Sequence, residues 1–88
     1  MMNTVELAAD SALFTVFGEA DPALLPRIVA LFAKCALVPA WLHAETLGGE
    51  MHVEVEFSGL SAAKADHFAE VLRQMPVVSL VRLTGESR

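Results

Sequence analysis

The chain has little of what would tie it to a particular chemistry. A single cysteine, Cys35, excludes an internal disulfide and a multi-cysteine zinc site. Basic residues are few, six against eleven acids, for a net charge of −5. That weighs against a nucleic-acid partner, whose footprint is a basic patch. No apolar run approaches the ~18 residues of a membrane span, so no membrane partner is expected. The first residues lack the basic start of a secretory signal, which leaves the cytoplasm as the expected compartment. Charged residues are only 19% of the chain and apolar residues 55%, too oily a balance for a disordered segment. At roughly 150 residues per domain, 88 residues make one domain. A core this small seldom supplies more than about 3–5 kcal/mol alone, so burial against a partner chain is expected.

What is present is hydrophobic patterning. Residues 1–10 carry weak signals and read as an N-terminal tail or a short extra strand, residues 11–84 as the domain, and residues 85–88 as a C-terminal tail. Leu13-Phe14-Thr15-Val16-Phe17 is a β-rich run stopped by Gly18. After an acidic loop, Leu25, Ile28, Val29 and Phe32 recur at helical spacing, with Leu24, Leu31 and Cys35 widening the stripe. Pro26 suits the first helical position, so the regular helix is expected to begin near it. Val38 to Ala44 holds Pro39 near its start and reads as an edge strand. Gly48-Gly49 is a hairpin turn, and Met51 to Phe57 alternates cleanly as a strand. Ser61 is placed to cap a helix that runs to about Met75, where Pro76 ends it, and Val77 to Leu83 reads as a last strand.

The order β-α-β-β-α-β predicts an α+β, ferredoxin-like sandwich: a four-stranded antiparallel sheet with both helices on one face. The first and third strands are expected to be central and parallel. A two-residue turn at Gly48-Gly49 makes paired residue numbers sum to 97. Ala40/Phe57, Leu42/Val55 and Ala44/Val53 then point toward the helices. Trp41/Glu56, His43/Glu54 and Glu45/His52 point to the open face, the last two as cross-strand His–Glu pairs. A one-residue slip would bury these polar groups, so the register is well specified.

The outer strands have no polar face in this reading. Leu13/Phe17 and Phe14/Val16 fall on opposite sides of the first strand, Val77/Val81/Leu83 and Val78/Leu80 on opposite sides of the last. The open face would thus join apolar residues to a Trp-His-Glu hairpin, which is the character of an association surface. Leu13, Phe17, Trp41, His43, His52, Glu54, Val78 and Leu80 are the expected interface residues. No Lys or Arg lies between Cys35 and Ala63, while Glu45, Glu50, Glu54 and Glu56 do. That stretch reads equally as a solvated acidic edge or as a docking face for a basic surface.

His43, Glu45, His52 and Glu54 have the residue types of a divalent-metal site. Flat strand surfaces rarely converge four ligands, so no metal is expected. Cys35 reads as a small buried hydrophobe and His67, beside Asp66, as an exposed polar residue.

The stretch Glu19-Ala20-Asp21-Pro22-Ala23-Leu24-Leu25-Pro26-Arg27-Ile28-Val29-Ala30-Leu31-Phe32 resembles the start of an ACT domain. Phe68 to Met75, followed by Val77 to Leu83, looks like the second helix and last strand of acetolactate synthase small subunits. The resemblance covers about residues 11–84. It implies regulation: a non-catalytic domain that pairs through its sheet and binds a larger catalytic subunit in branched-chain amino-acid synthesis. It also implies an amino-acid effector near Asp21, Pro22, Ala23 and Leu24. The family glycine is Ala23 here, and Pro26 is a second departure, so weak effector binding or none is expected. The alternatives are a stand-alone amino-acid sensor and a dimeric interaction module without a ligand.

Other uses of this fold fit less well. An RNA-binding sheet shows aromatics with basic neighbours on its central strands, where Glu54 and Glu56 stand instead. A metallochaperone needs a cysteine pair. Acylphosphatase-like hydrolysis needs an anion-binding arginine in the first loop, where Glu19 and Asp21 sit. No nucleophile–base pair is visible, so neither catalysis nor a cofactor is expected.

Overall fold

Alternation in β1, Ser11–Glu19, buries Phe14 and Val16 and leaves Leu13, Thr15 and Phe17 half-buried on the other side. The computed structural model describes residues 11–86. It continues with α1 (Leu24–Lys34), β2 (Trp41–Leu47), β3 (Glu50–Phe57), α2 (Ala62–Arg73) and β4 (Val78–Glu86). The strands form one antiparallel sheet in the order β2-β3-β1-β4. β1 and β3 are central as expected, but they are antiparallel, not parallel. The α1 crossover returns β2 in the direction of β1, and β3, joined to β2 by a hairpin, must run against both. The expectations for residues 1–10 lie outside the described residues. Among the described residues no helix is long and apolar enough to cross a membrane.

The core lies between the sheet and the helices. Leu24, Ile28 and Phe32 of α1 and Ala65, Phe68, Ala69 and Leu72 of α2 cover Phe14, Val16, Val53, Val55, Phe57 and Val81. Four of the five phenylalanines meet there. Phe32 is 4.5 Å from Phe57 and 5.8 Å from Phe68 by ring centroid, and Phe14 is 6.0 Å from Phe57. Tilted and edge-on pairs of this kind add to the gain from burial alone.

Helix α1 begins two residues before Pro26. Pro26 is its third residue, where the missing N–H is among the donors that lack an intrahelical partner anyway. Its first ladder bond is Arg27 N–H to Ala23 O at 3.2 Å. At the far end the helix stops before its apolar stripe reaches Cys35, which is exposed and caps the last turn instead of packing in the core. Ala36 takes a left-handed φ of 59°. Leu37 N–H bonds Phe32 O at 2.9 Å and Ala36 N–H bonds Ala33 O at 3.0 Å, a Schellman closure. Ser61 caps α2, its hydroxyl accepting from Lys64 N–H at 3.2 Å.

The hairpin turns at Gly48 and Gly49, both at positive φ (56° and 83°), as a two-residue primed turn requires. The predicted register from Trp41↔Glu56 to Glu45↔His52 is present. The ladder starts at Trp41, not at Val38, so Ala40 is exposed ahead of it. Leu42 stays 36% exposed, because β2 overhangs the edge of the helix layer. β1 does not end at Gly18 but runs through it to Glu19. A Cβ at Gly18 would stand 2.5 Å from the Val77 carbonyl oxygen, so the glycine admits a close backbone approach rather than a chain break.

Candidate functional site

The open face of the sheet is a grid set by strand register. Across β2, β3, β1 and β4, one row is Trp41, Glu56, Leu13 and Thr84. The next is His43, Glu54, Thr15 and Arg82, and the third Glu45, His52, Phe17 and Leu80. No element of the described residues covers it. Trp41 is 43% exposed and Leu80 49%. Thr15, Phe17, His43, Glu45, His52 and Glu54 line a shallow hollow of about 300 Å³.

Seven of the eight expected interface residues share this face, and Val78 does not. A β-bulge opposite Phe17/Gly18 shifts the parity of β4. Val78 therefore pairs with Gly18 and packs half-buried against the core, while Leu80 pairs with Phe17 on the open side. Ser79, the extra residue, donates its hydroxyl to Phe17 O at 3.0 Å. The face is also less apolar than expected, since Thr15, Arg82 and Thr84 interrupt Leu13, Phe17 and Leu80. Attention to apolar residues alone missed Thr15 and Arg82, although strand alternation places both.

Side-chain pairing differs too. The imidazoles face Glu54 and Glu45 in register, but each bonds a carboxylate two residues away on its own strand. His43 Nε2 lies 3.2 Å from Glu45 Oε1, and His52 Nε2 lies 3.4 Å from Glu50 Oε1. Residues i and i+2 share a face and sit closer to these ring nitrogens than the cross-strand oxygens do. Trp41 does bond across the strands, donating Nε1–H to Glu56 Oε1 at 2.6 Å. Phe17 lies under two groups: His52 edge-on at 4.7 Å, and the Arg82 guanidinium at 5.7 Å, within cation–π range. Among the described residues no group of three or more His, Cys, Asp or Glu side chains is placed to hold one metal ion.

The predicted effector loop follows the end of β1, where Ala20 N–H bonds Gly49 O at 3.0 Å. Asp21 accepts Ala23 N–H on its side-chain Oδ1 at 2.8 Å and Leu24 N–H on its carbonyl at 3.0 Å. Ala23 sits at φ −86°, ψ −10°, dihedrals that any residue adopts, so replacing glycine there brings no backbone strain. Pro22 is exposed, and Leu24 is fully buried in the core. The loop thus spends the donors that would meet a carboxylate on its own turn. A separate groove of about 340 Å³ opens at the end of the sheet, between Gly18-Glu19, Gly49-Glu50 and Pro76 to Ser79.

A βαββαβ sandwich with helices on one face of its sheet and a polar, aromatic-studded opposite face is the class that fold and site define. The chain belongs to the ACT-like domain family, whose model matches residues 6–87. Solved structures share the fold. The ACT domain from GTP pyrophosphokinase of Chlorobium tepidum superposes with a TM-score of 0.75 at 16% identity, over 86% of this chain and 88% of that one. The C-terminal domain of the MgtC protein from Mycobacterium tuberculosis gives 0.70 at 13%, over 93% of each. An ACT domain protein from Streptococcus pneumoniae gives 0.68 at 15%, over 88% and 90%. No curated protein sequence matches the chain.

Proposed function

We propose that this chain is a non-catalytic, cytoplasmic regulatory domain that works by association through its open sheet face, and that it regulates an enzyme of amino-acid biosynthesis. The first candidate for that enzyme is an acetolactate synthase large subunit. Membership of the ACT-like family supports regulation rather than catalysis. The resemblance of Phe68 to Met75 and Val77 to Leu83 to acetolactate synthase small subunits supports the choice of enzyme. The observation that carries the reading is the sheet face itself. Trp41, Phe17, Leu13 and Leu80 lie on it among charged groups, with no element of the described residues over them. Exposed aromatic and aliphatic groups ringed by charge mark a surface that meets another chain.

The full chain, used as bait, is expected to recover the thiamine-diphosphate-dependent large subunit and to change its activity. Recovery of no such enzyme, together with no effect of added chain on purified large subunit, overturns the choice of enzyme.

A further inference from the structure

We propose that the helix layer carries a docking groove of its own, on the side of the molecule away from the open sheet face, and that its occupant is an acidic amphipathic helix of another protein. Arg27, Ala30, Leu31 and Lys34 follow one another at i, i+3, i+4 and i+7, so they form a stripe along one face of α1. With Met75, just past the end of α2, they line a shallow groove of about 290 Å³. Leu31 and Met75 are half-buried against the core and make its apolar floor, while Arg27 and Lys34 are exposed at its two ends.

The charge of the groove is what selects the partner. Neither Arg27 nor Lys34 makes an ion pair among the described residues, whereas Arg73 on α2 pairs with Glu70 at 3.0 Å. α1 holds no acid, and Arg27 lies in its first turn, where the helix dipole favours acids, so helix stability does not account for it. In a chain of net charge −5, four of the five basic residues between 11 and 86 stand on the helices. β2 and β3 carry Glu45, Glu50, Glu54 and Glu56 and no base. An acidic partner is therefore drawn to the helix layer and repelled by the hairpin. The spacing selects a helix. Arg27 and Lys34 stand two turns apart, about 10.5 Å of rise. A partner helix with carboxylates at i and i+7 repeats that rise, and its apolar residues at i+3 and i+4 fall over Leu31 and Met75. A strand returns to the same face only every ~6.7 Å and misses the spacing.

The test is an NMR titration of the full chain with a capped Ala/Gln-based helical peptide of roughly 15 residues. The peptide carries one Glu, two Leu three and four residues later, and a second Glu seven residues after the first. Saturable shifts are expected at the amides of Arg27, Ala30, Leu31, Lys34 and Met75. Replacing both Glu of the peptide by Lys is expected to weaken binding about tenfold, with the protein untouched. The Arg27→Glu, Lys34→Glu double variant, at two exposed positions, is expected to reverse that preference and bind the Lys peptide better. Replacing both Leu by Ala is expected to abolish saturation. No shift, shifts confined to the sheet face, or equal binding of the Glu and Lys peptides overturns the proposal. So does a Leu-free peptide that binds as well, since charge alone then suffices. Shifts of the same amides on concentrating the chain without peptide make a second copy the occupant and overturn the partner. The sheet-face reading does not depend on any of these results.

Discussion

Ala36 stands where helices most often place glycine. Its φ of 59° closes the Schellman turn that lets Leu37 fold back onto the core beside Phe32. A left-handed residue with a Cβ costs roughly 1 kcal/mol, and Ala36 is exposed, so nothing packs on that methyl in return. Ala36→Gly is therefore expected to stabilise the chain by about 0.5–1 kcal/mol, read as a higher urea midpoint at unchanged slope. Gly18 is the opposite case, since there the space beside the Cα belongs to the Val77 carbonyl. Both positions were opaque in the sequence. Ala36 has no turn-forming identity, and Gly18 has one but lies inside a strand.

At the scale of the element, the loop from Asp21 to Leu24 is tied to itself. Asp21 holds the N–H groups of Ala23 and Leu24, and Pro26 has none to offer. A carboxylate ligand would have to displace the Asp21 side chain, which is already the better-placed anion for that turn. Calorimetry with valine, leucine and isoleucine is expected to show no saturable heat. Micromolar binding that Asp21→Ala weakens would place an effector on this loop after all. The helix start was readable from Pro26 only to within a turn, because proline is tolerated anywhere among the unpaired N–H groups of the first turn.

For the whole molecule, one aromatic cluster carries the packing. Phe32 touches Phe14, Phe57 and Phe68, so it joins both helices to the two central strands. Phe32→Ala is expected to cost about 3–5 kcal/mol, the cost of a large core truncation. That is comparable to the entire stability of a domain of this size. The variant chain is expected to be largely unfolded at 25 °C by circular dichroism and tryptophan fluorescence of Trp41. A cooperative transition within about 1 kcal/mol of wild type would mean that the cluster is not the centre of the core.

The βαββαβ order, the hairpin register and the division of β3 into a buried and an open face were determined by sequence alone. Each depends on local periodicity: a turn of two glycines counts the register, and alternation within one strand assigns its faces. The cap at Ser61 is local in the same sense. What the tertiary structure decided involves distant segments. The bulge that turns Val78 inward exists because β4 must fit against β1 beside Gly18. The exposure of Cys35 follows from where α1 ends over the sheet. The partners of His43 and His52 were chosen by side-chain reach rather than by register. The alignment of Glu54 with Arg82 in one row across Thr15 needs three strands docked in order, and no periodicity within a single strand encodes that.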